Sequence, residues 1–146
     1  MRKKIKGFSV IEIVLVLGVI GILSSFIAPK VRDYLAMAKD SKVINALQSL
    51  RMANETYYLE NGNYPMFEQS NITTILVVLE KYIGNKFQLT NGELLLDVGG
   101  SKEMADSKDI KYGGKIKIEI ENNDFILKPT DEIYKFNLRG DEWSKL

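Results

Sequence analysis

The chain has 146 residues, which suits one ordinary domain, and its 45% hydrophobic and 27% charged residues are typical of a chain that folds. It contains no cysteine and no histidine, so thiol nucleophiles, Ser-His and Cys-His couples, disulfides and Cys/His zinc sites are excluded. The net charge of +1 gives no global basic excess of the kind that nucleic-acid binding requires.

An apolar run begins close to the N-terminus. The run covers residues 8–28, which are 21 residues with a single charge. A helix of that length spans about 31 Å, the thickness of a bilayer core. Four basic residues precede the run, so the positive-inside rule predicts a cytoplasmic N-terminus and an extracytoplasmic remainder. A secretory signal peptide fits poorly, because cleavage after Ala28 would leave Phe26 where a small residue is needed.

Glu12 is the one charged residue inside this run. A carboxylate in a spanning helix costs about 2.5–3.5 kcal/mol on insertion scales, so its presence indicates a function. One interpretation is that Glu12 only reaches the headgroups at the interface. The other interpretation is that Glu12 pairs with a cation. Cleavage between Gly7 and Phe8 would create such a cation, an α-amino group one helical turn from the carboxylate.

The order of basic leader, Gly7, Phe8, Glu12 and apolar run resembles the processing and assembly signature of type IV prepilins and type II secretion pseudopilins. That family commonly reads Gly-Phe-Thr-Leu-Ile-Glu, where this chain reads Gly-Phe-Ser-Val-Ile-Glu over residues 7–12. Pro29 falls where many members carry a proline in their long first helix. Gly18 and Gly21 lie in a stretch similar to the part that can lose helical order in filaments.

The resemblance implies a sequence of events and a set of partners. A prepilin peptidase and methylase would cut after Gly7 and N-methylate Phe8, and an assembly platform of the inner membrane would move the subunit into an extracytoplasmic filament or onto the cell surface. There Glu12 would neutralise the terminal amine of a neighbouring subunit. The expected partners are copies of the chain and related pilins, with no catalytic residue, cofactor or metal.

After Pro29 the run is followed by an amphipathic pattern, which predicts one bent helix over residues 8–60, stopped by Asn61-Gly62-Asn63 and Pro65. Its apolar positions recur every three or four residues, at Val43, Leu47, Leu50, Ala53 or Asn54, and Tyr57. The charged positions predict a solvated face, namely Arg32, Asp33, Lys39, Asp40, Lys42, Arg51 and Glu55.

The rest of the chain predicts a short helix and several strands. The helix covers residues 71–83, and the strands cover 86–90 and 93–98 around Asn91-Gly92, then 115–121, 125–128 and 133–138. We therefore expect an α+β pilin fold, in which a long N-terminal helix, transmembrane in its first half, packs on a small antiparallel β-sheet head. The expected segments are a leader 1–7, a transmembrane and filament-core half 8–28, an amphipathic half 29–61 and a head 62–146.

Residues 99–114 are polar and predict a solvated surface loop. Asp97, Asp106 and Asp109 are hard oxygen donors, and the resemblance to pseudopilins raises calcium, but no spacing matches a defined calcium loop. The sequence therefore predicts no metal site. Tyr57, Tyr58, Tyr64 and Trp143 are expected in core or rim packing, because no basic stripe accompanies them.

The leading hypothesis is a structural filament subunit without catalytic activity. The chain has no cysteine for the disulfide of many pilin heads, and the motif that usually follows Tyr-Pro in major secretion pseudopilins is absent after Tyr64-Pro65. Major pilin, minor pilin, competence pseudopilin and secretion pseudopilin all remain open. A membrane-anchored extracytoplasmic binding domain is the alternative from another class, and an oxygen-ligand metalloenzyme is a distant third.

Overall fold

The computed structural model describes residues 7–65, 71–84 and 87–146. It divides into two compact units, Met1–Tyr34 and Leu35–Leu146, which are described separately and are called the N-terminal unit and the C-terminal unit. The basic leader before Gly7 and Lys86, the first residue of a predicted strand, lie outside the described residues.

The longest element is helix α1, Val10–Asn61, with 52 residues. It confirms the predicted long helix and is continuous through Pro29, whose ring lacks an N–H group for the carbonyl of Ser25 one turn earlier. The helix ends at Gly62, which adopts a φ of 76° and donates its N–H to the Tyr58 carbonyl at 2.8 Å. A left-handed glycine is a common helix terminator because it has no Cβ to clash.

Helix α2, Ile72–Leu79, confirms the predicted second helix and is shorter than predicted. Asn71 caps it, because its Oδ1 accepts hydrogen bonds from the Thr74 N–H at 2.9 Å and the Thr74 hydroxyl at 3.0 Å. A cap of this kind satisfies a backbone donor that the first turn leaves without a partner. The buried side of α2 carries Ile75, Leu76 and Leu79.

In the part of the chain that the structure describes, five strands form two antiparallel sheets. The strands are β1 Leu94–Asp97, β2 Gly100–Ser101, β3 Lys111–Tyr112, β4 Lys115–Glu121 and β5 Asp124–Pro129. The larger sheet has the order β1-β4-β5, and β2 pairs with β3. Strand β4 covers the residues that its alternating pattern predicts. Ile116 and Ile118 are buried on one face, whereas Lys117 and Glu119 on the other face form an ion pair at 2.9 Å.

Two tight turns contain residues in the left-handed backbone conformation. Asn91 and Gly92 have φ angles of 53° and 80° and precede β1, which fits the two-residue turn predicted from their sequence. The predicted strand before this turn is wrong for its described part, because only an isolated bridge between Thr90 and Glu93 forms there. Asn122 and Asn123, with φ angles of 51° and 62°, make the corresponding turn between β4 and β5.

The core lies in the C-terminal unit, where the second half of α1 packs with α2 and the larger sheet. Trp143, in a short 3-10 helix at Trp143–Lys145, is part of it and donates its indole N–H to the Ser101 hydroxyl at 3.3 Å, so its predicted packing role is confirmed. The core side chains are Val43, Leu47, Leu50, Ala53, Ile75, Leu76, Leu79, Leu94, Val98, Ile116, Ile118, Phe125, Leu127 and Trp143.

Two predictions in the C-terminal part of the sequence are wrong. The expected strand at 133–138 is absent from the described residues, where Phe136 forms only isolated bridges to Lys102 and Glu142. Asn137 stands at a polar position of the alternating pattern, but it is buried, and its side chain holds a turn instead. The segment 99–114, expected as a solvated loop, contains β2 and β3, and both residues of β2 are buried.

The expected solvated face of α1 is also wrong at two positions. Asp40 is 5% exposed, and its carboxylate accepts hydrogen bonds from the N–H groups of Gly99 at 2.8 Å and Leu138 at 3.4 Å. Arg51 is half-buried and donates to the main-chain oxygens of Phe125 and Leu146. Both side chains form hydrogen bonds with backbone groups far away in the chain, and helical spacing alone does not indicate such partners.

Candidate functional site

The N-terminal unit presents an apolar surface with almost no partners of its own. Phe8 is 85% exposed, and helix α1 is long and apolar enough to cross a membrane, with none of its most apolar window buried. Exposed apolar area of this size marks a membrane or protein interface rather than an ordinary soluble surface. The exposed side chains include Val10, Ile11, Ile13, Val14, Leu15, Val16, Leu17, Val19, Ile20, Ile22, Leu23, Phe26 and Ile27.

The first turn of α1 holds Glu12 through a capping box. The backbone N–H of Ser9 donates to Glu12 Oε2 at 2.8 Å, and the N–H of Ile11 donates to Ser9 Oγ at 3.4 Å. These two bonds satisfy donors that the helix start would otherwise leave free, and they hold the carboxylate at the positive end of the helix dipole. Sequence analysis missed this role, although the spacing Ser-x-x-Glu was a signal for it.

Gly7 and Phe8 lie just before the start of the helix, and Glu12 lies in its first turn. Gly7, Phe8 and Ser9 precede α1 and are exposed. A Cβ added to Gly7 would meet no atom within 4 Å in the folded chain. The carboxylate of Glu12 is hydrogen-bonded to the N–H of Ser9, the residue that follows Phe8.

The other predicted positions in this unit lie farther along the helix. Gly18 and Gly21 are exposed and have no neighbour within 4 Å of an added Cβ, and Pro29 is two turns beyond Gly21. The hydroxyl of Ser25 donates to the Ile22 carbonyl at 2.6 Å, in the turn that Pro29 leaves short of an N–H donor.

In the C-terminal unit, the Asp40 carboxyl connects α1 to two other backbone segments, at residues 99–100 and at Leu138. Burial raises the pKa of its carboxyl above the ordinary value, and hydrogen bonds from the N–H groups of Gly99, Leu138 and Gly100 oppose that rise. The contact is close, because a Cβ added to Gly99 would lie 1.8 Å from the Ala36 carbonyl oxygen. Glycine is therefore required at residue 99 for β2 to approach α1.

The acidic residues of the 97–109 region do not form a cluster. Among the residues that the structure describes, no group of three or more carboxylates could hold a metal ion. The Asp97 carboxylate is instead 3.5 Å from the Lys115 ammonium group.

Comparison with known proteins identifies relatives in two related systems. The fimbrial protein of Neisseria meningitidis serogroup B is 30% identical over 97 residues, which cover 66% of this chain and 56% of that protein. The type IV major pilin protein PilE of Neisseria gonorrhoeae is 27% identical over 124 residues, covering 84% of this chain and 71% of the pilin. The chain is therefore similar to type IV pilins and to pseudopilins. The resemblance found in its N-terminal motif is thereby confirmed.

The pseudopilin branch is also represented. The type II secretion system core protein G of Klebsiella michiganensis is 34% identical over 68 residues, which cover 47% of this chain and 48% of that protein. The first relatives are thus matched over about half of their own length or less. No protein-family model and no solved structure matches the chain. The relatives are structural pilins and pseudopilins rather than enzymes, which confirms the prediction of a non-enzymatic protein.

Proposed function

We propose that the protein is a structural subunit of a type IV pilus-like filament. The observation that carries this proposal is the exposed apolar first half of α1, which the described residues leave unburied and which suits first a bilayer and then a bundle of like helices. The relatives named as pilins and as a secretion core protein support the same function.

Processing would occur at the start of this helix. A prepilin peptidase cuts between Gly7 and Phe8, which precede α1 and are exposed, and the new Phe8 amine is methylated. Before cleavage, the capping box holds the carboxylate of Glu12 on the Ser9 N–H. After cleavage, the Phe8 amine supplies a cation for the same carboxylate, within the subunit or from a neighbour.

Glu12 is the residue that would direct assembly. In an apolar bundle a lone carboxylate is strongly disfavoured, whereas a carboxylate paired with an amine and a backbone N–H is compensated. Gly18, Gly21 and Pro29 would let the helix bend or lose helical order as subunits pack. The partners are copies of the chain and related pilins, the peptidase and methylase, and the inner-membrane assembly platform.

The localisation follows from the same segment. The subunit would sit in the inner membrane with its N-terminus in the cytoplasm and its C-terminal unit outside, and then in an extracytoplasmic filament. A pseudopilin of a secretion or DNA-uptake system is the second candidate, favoured by the match to the secretion core protein G.

Mass spectrometry of the chain purified from membranes tests the proposal. Expression with a prepilin peptidase should give a mass that lacks residues 1–7 and carries one extra methyl group. The Gly7→Leu variant is the matched control and should keep its leader. A wild-type chain that retains residues 1–7 in the presence of the peptidase would contradict the proposal and favour a permanently anchored binding domain.

Filament recovery provides the second test. Wild-type cells should release the chain in sheared, sedimentable filaments, and the Gly7→Leu variant should stay in the membrane fraction. Recovery of the processed chain only as a membrane monomer, together with an active secretion or DNA-uptake phenotype, would favour the pseudopilin candidate.

A further inference from the structure

The turn at residues 137–141 displays two opposite charges on either side of one glycine. Arg139, Gly140 and Asp141 follow each other at its tip, and the side chains of Arg139 and Asp141 are exposed. Within the part of the chain that the structure describes, neither charge is in a salt bridge. The Arg139 guanidinium makes a 3.5 Å contact with the Ser41 hydroxyl, and its charge favours the ionised form of the Asp40 carboxyl.

A buried amide fixes the shape of this turn. Asn137 is 1% exposed, and its Oδ1 accepts hydrogen bonds from the N–H groups of Arg139 and Asp141, both at 2.9 Å. Its Nδ2 donates to Asp141 Oδ2 at 3.0 Å, and its own N–H donates to the Asp141 carbonyl at 2.8 Å. The backbone of both charged residues is therefore held by one side chain anchored in the core.

The glycine between the charges cannot be replaced without strain. Gly140 has a φ of 94°, which L side chains rarely adopt, and its added Cβ would lie 3.0 Å from the Ala105 carbonyl oxygen. The N–H of Gly140 donates to the Asn137 carbonyl at 3.1 Å. The backbone positions from which the Arg139 and Asp141 side chains extend are thus set by the fold.

The chemistry of the two side chains defines the partner. A guanidinium binds carboxylates through its planar fork of donors, and a carboxylate is a good ligand for a divalent cation. The Asp141 carboxylate gives one oxygen to Asn137 and keeps lone pairs for a further ligand. Because the turn is already ordered, a partner that contacts both groups loses little conformational entropy on binding.

We propose that the 137–141 turn is a docking surface for a protein receptor of Arg-Gly-Asp sequences, which holds the Arg139 guanidinium in an acidic pocket and the Asp141 carboxylate on a receptor-bound divalent cation. The inference goes beyond filament formation and rests on the proposed function only for the presentation of the turn outside the cell. It makes the filament subunit itself adhesive.

A solid-phase binding measurement tests the docking surface. The full chain, purified in detergent, is immobilised, and the probe is an integrin ectodomain that binds Arg-Gly-Asp peptides in the presence of Mn²⁺. We expect saturable binding that EDTA abolishes and that a soluble Arg-Gly-Asp peptide, but not an Arg-Gly-Glu peptide, inhibits. The assay uses detergent-solubilised chain, so its result is independent of filament assembly, which the shearing experiment measures separately.

Two conservative variants identify the residues. Asp141→Glu and Arg139→Lys should each weaken binding at least about tenfold, because each keeps its charge but changes the position of the carboxylate or the donor fork. Asp109→Glu, on another exposed segment, is the matched control and should bind like the wild type. Circular dichroism and thermal unfolding verify that each variant is folded, and Arg139→Lys suffices if Asp141→Glu unfolds.

Three results would overturn the proposal. These are the absence of wild-type binding to the ectodomain, binding that persists in EDTA, and equal binding of the wild type and the folded turn variants. In each case filament formation would be unaffected, so the proposed function would stand on its own test.

Discussion

The carboxylate of Asp40 accepts a hydrogen bond from the N–H of Gly99 at 2.8 Å, which connects the second half of α1 to the backbone between β1 and β2. The same approach places the Gly99 backbone against Ala36, so close that no side chain fits between them. A buried anion and a missing side chain together decide where the small β2-β3 sheet meets the long helix.

Gly99→Ala should destabilise the C-terminal unit strongly. Its Cβ would lie 1.8 Å from the Ala36 carbonyl oxygen, so the backbone must move, and overpacking of this kind costs about 1–3 kcal/mol or more. Urea unfolding of the detergent-solubilised chain, followed by fluorescence of its one tryptophan, Trp143, measures the loss. Gly84→Ala has open space at its added Cβ and is the matched control. Equal unfolding midpoints of the two variants would contradict the prediction.

Asp40→Asn should change the pH dependence of stability with a defined sign. Because burial raises the folded-state pKa of Asp40, its contribution is complete below the unfolded value, near 3.8, and is lost as the pH rises through the folded pKa. The free energy of unfolding of the wild type relative to Asp40→Asn should therefore increase as the pH falls from about 7 to about 4.

Glu119→Gln is the control of opposite sign. The hydrogen bond from Lys117 is the main cause that lowers the pKa of the Glu119 carboxyl, so its contribution is present above the unfolded value, near 4.5, and is lost as the pH falls through the folded pKa. The stability of the wild type relative to Glu119→Gln should therefore decrease under acid. Parallel pH curves for the two variants would show that Asp40 does not titrate as described.

Arg51→Lys should cost stability although it keeps the positive charge. The guanidinium donates to the Phe125 carbonyl at 2.8 and 3.1 Å and to the main-chain oxygen of Leu146 at 2.7 Å, and a single ammonium group cannot reproduce this fork. Hydrogen bonds to charged groups contribute about 1.5–3 kcal/mol each, so we expect a loss of about that size.

Tryptophan fluorescence is again a suitable measurement for Arg51→Lys, since Trp143 lies close in sequence to Leu146. Lys42→Arg, at an exposed position of the same helix, is the control and should change the free energy of unfolding by no more than about 0.5 kcal/mol. An unfolding midpoint of Arg51→Lys equal to that of the wild type would refute the role of the fork.

Glu12→Gln should leave insertion and leader cleavage intact and impair filament assembly. Glutamine can still accept the hydrogen bond of Ser9 in a capping box, so the variant removes the charge while keeping the helix start. Assembly should weaken because a buried amine without its counter-ion costs roughly 3–5 kcal/mol. The fraction of variant subunits in sheared filaments, after coexpression with the wild type, measures the effect.

Ser9→Ala is the complementary variant, because it removes the hydroxyl cap and keeps the carboxylate. We expect a loss of helix stability of about 1 kcal/mol and a smaller assembly defect than for Glu12→Gln. Equal incorporation of the Glu12→Gln variant, also in filaments made from that variant alone, would exclude Glu12 as an assembly residue.

The sequence by itself was sufficient for features that depend on neighbouring residues. Helix α1 follows from an apolar run joined to an amphipathic pattern, β4 from strict alternation, and the turn before β1 from Asn91-Gly92. The motif around Gly7 and Glu12 is equally local, and it indicates the same family as the relatives do. Local sequence is informative here because helical periodicity, strand alternation and turn conformation are set within a few residues.

Only the tertiary structure decided the roles of Asp40, Arg51 and Asn137. Each is polar and stands at a position that local patterns assign to solvent or to a strand, yet each is wholly or partly buried because it pairs with backbone groups far away in the chain or across a turn. A buried polar group is stable only where its hydrogen-bonding partners are supplied, and those partners, at residues 99, 125 and 141, are brought near by the fold and not by sequence spacing.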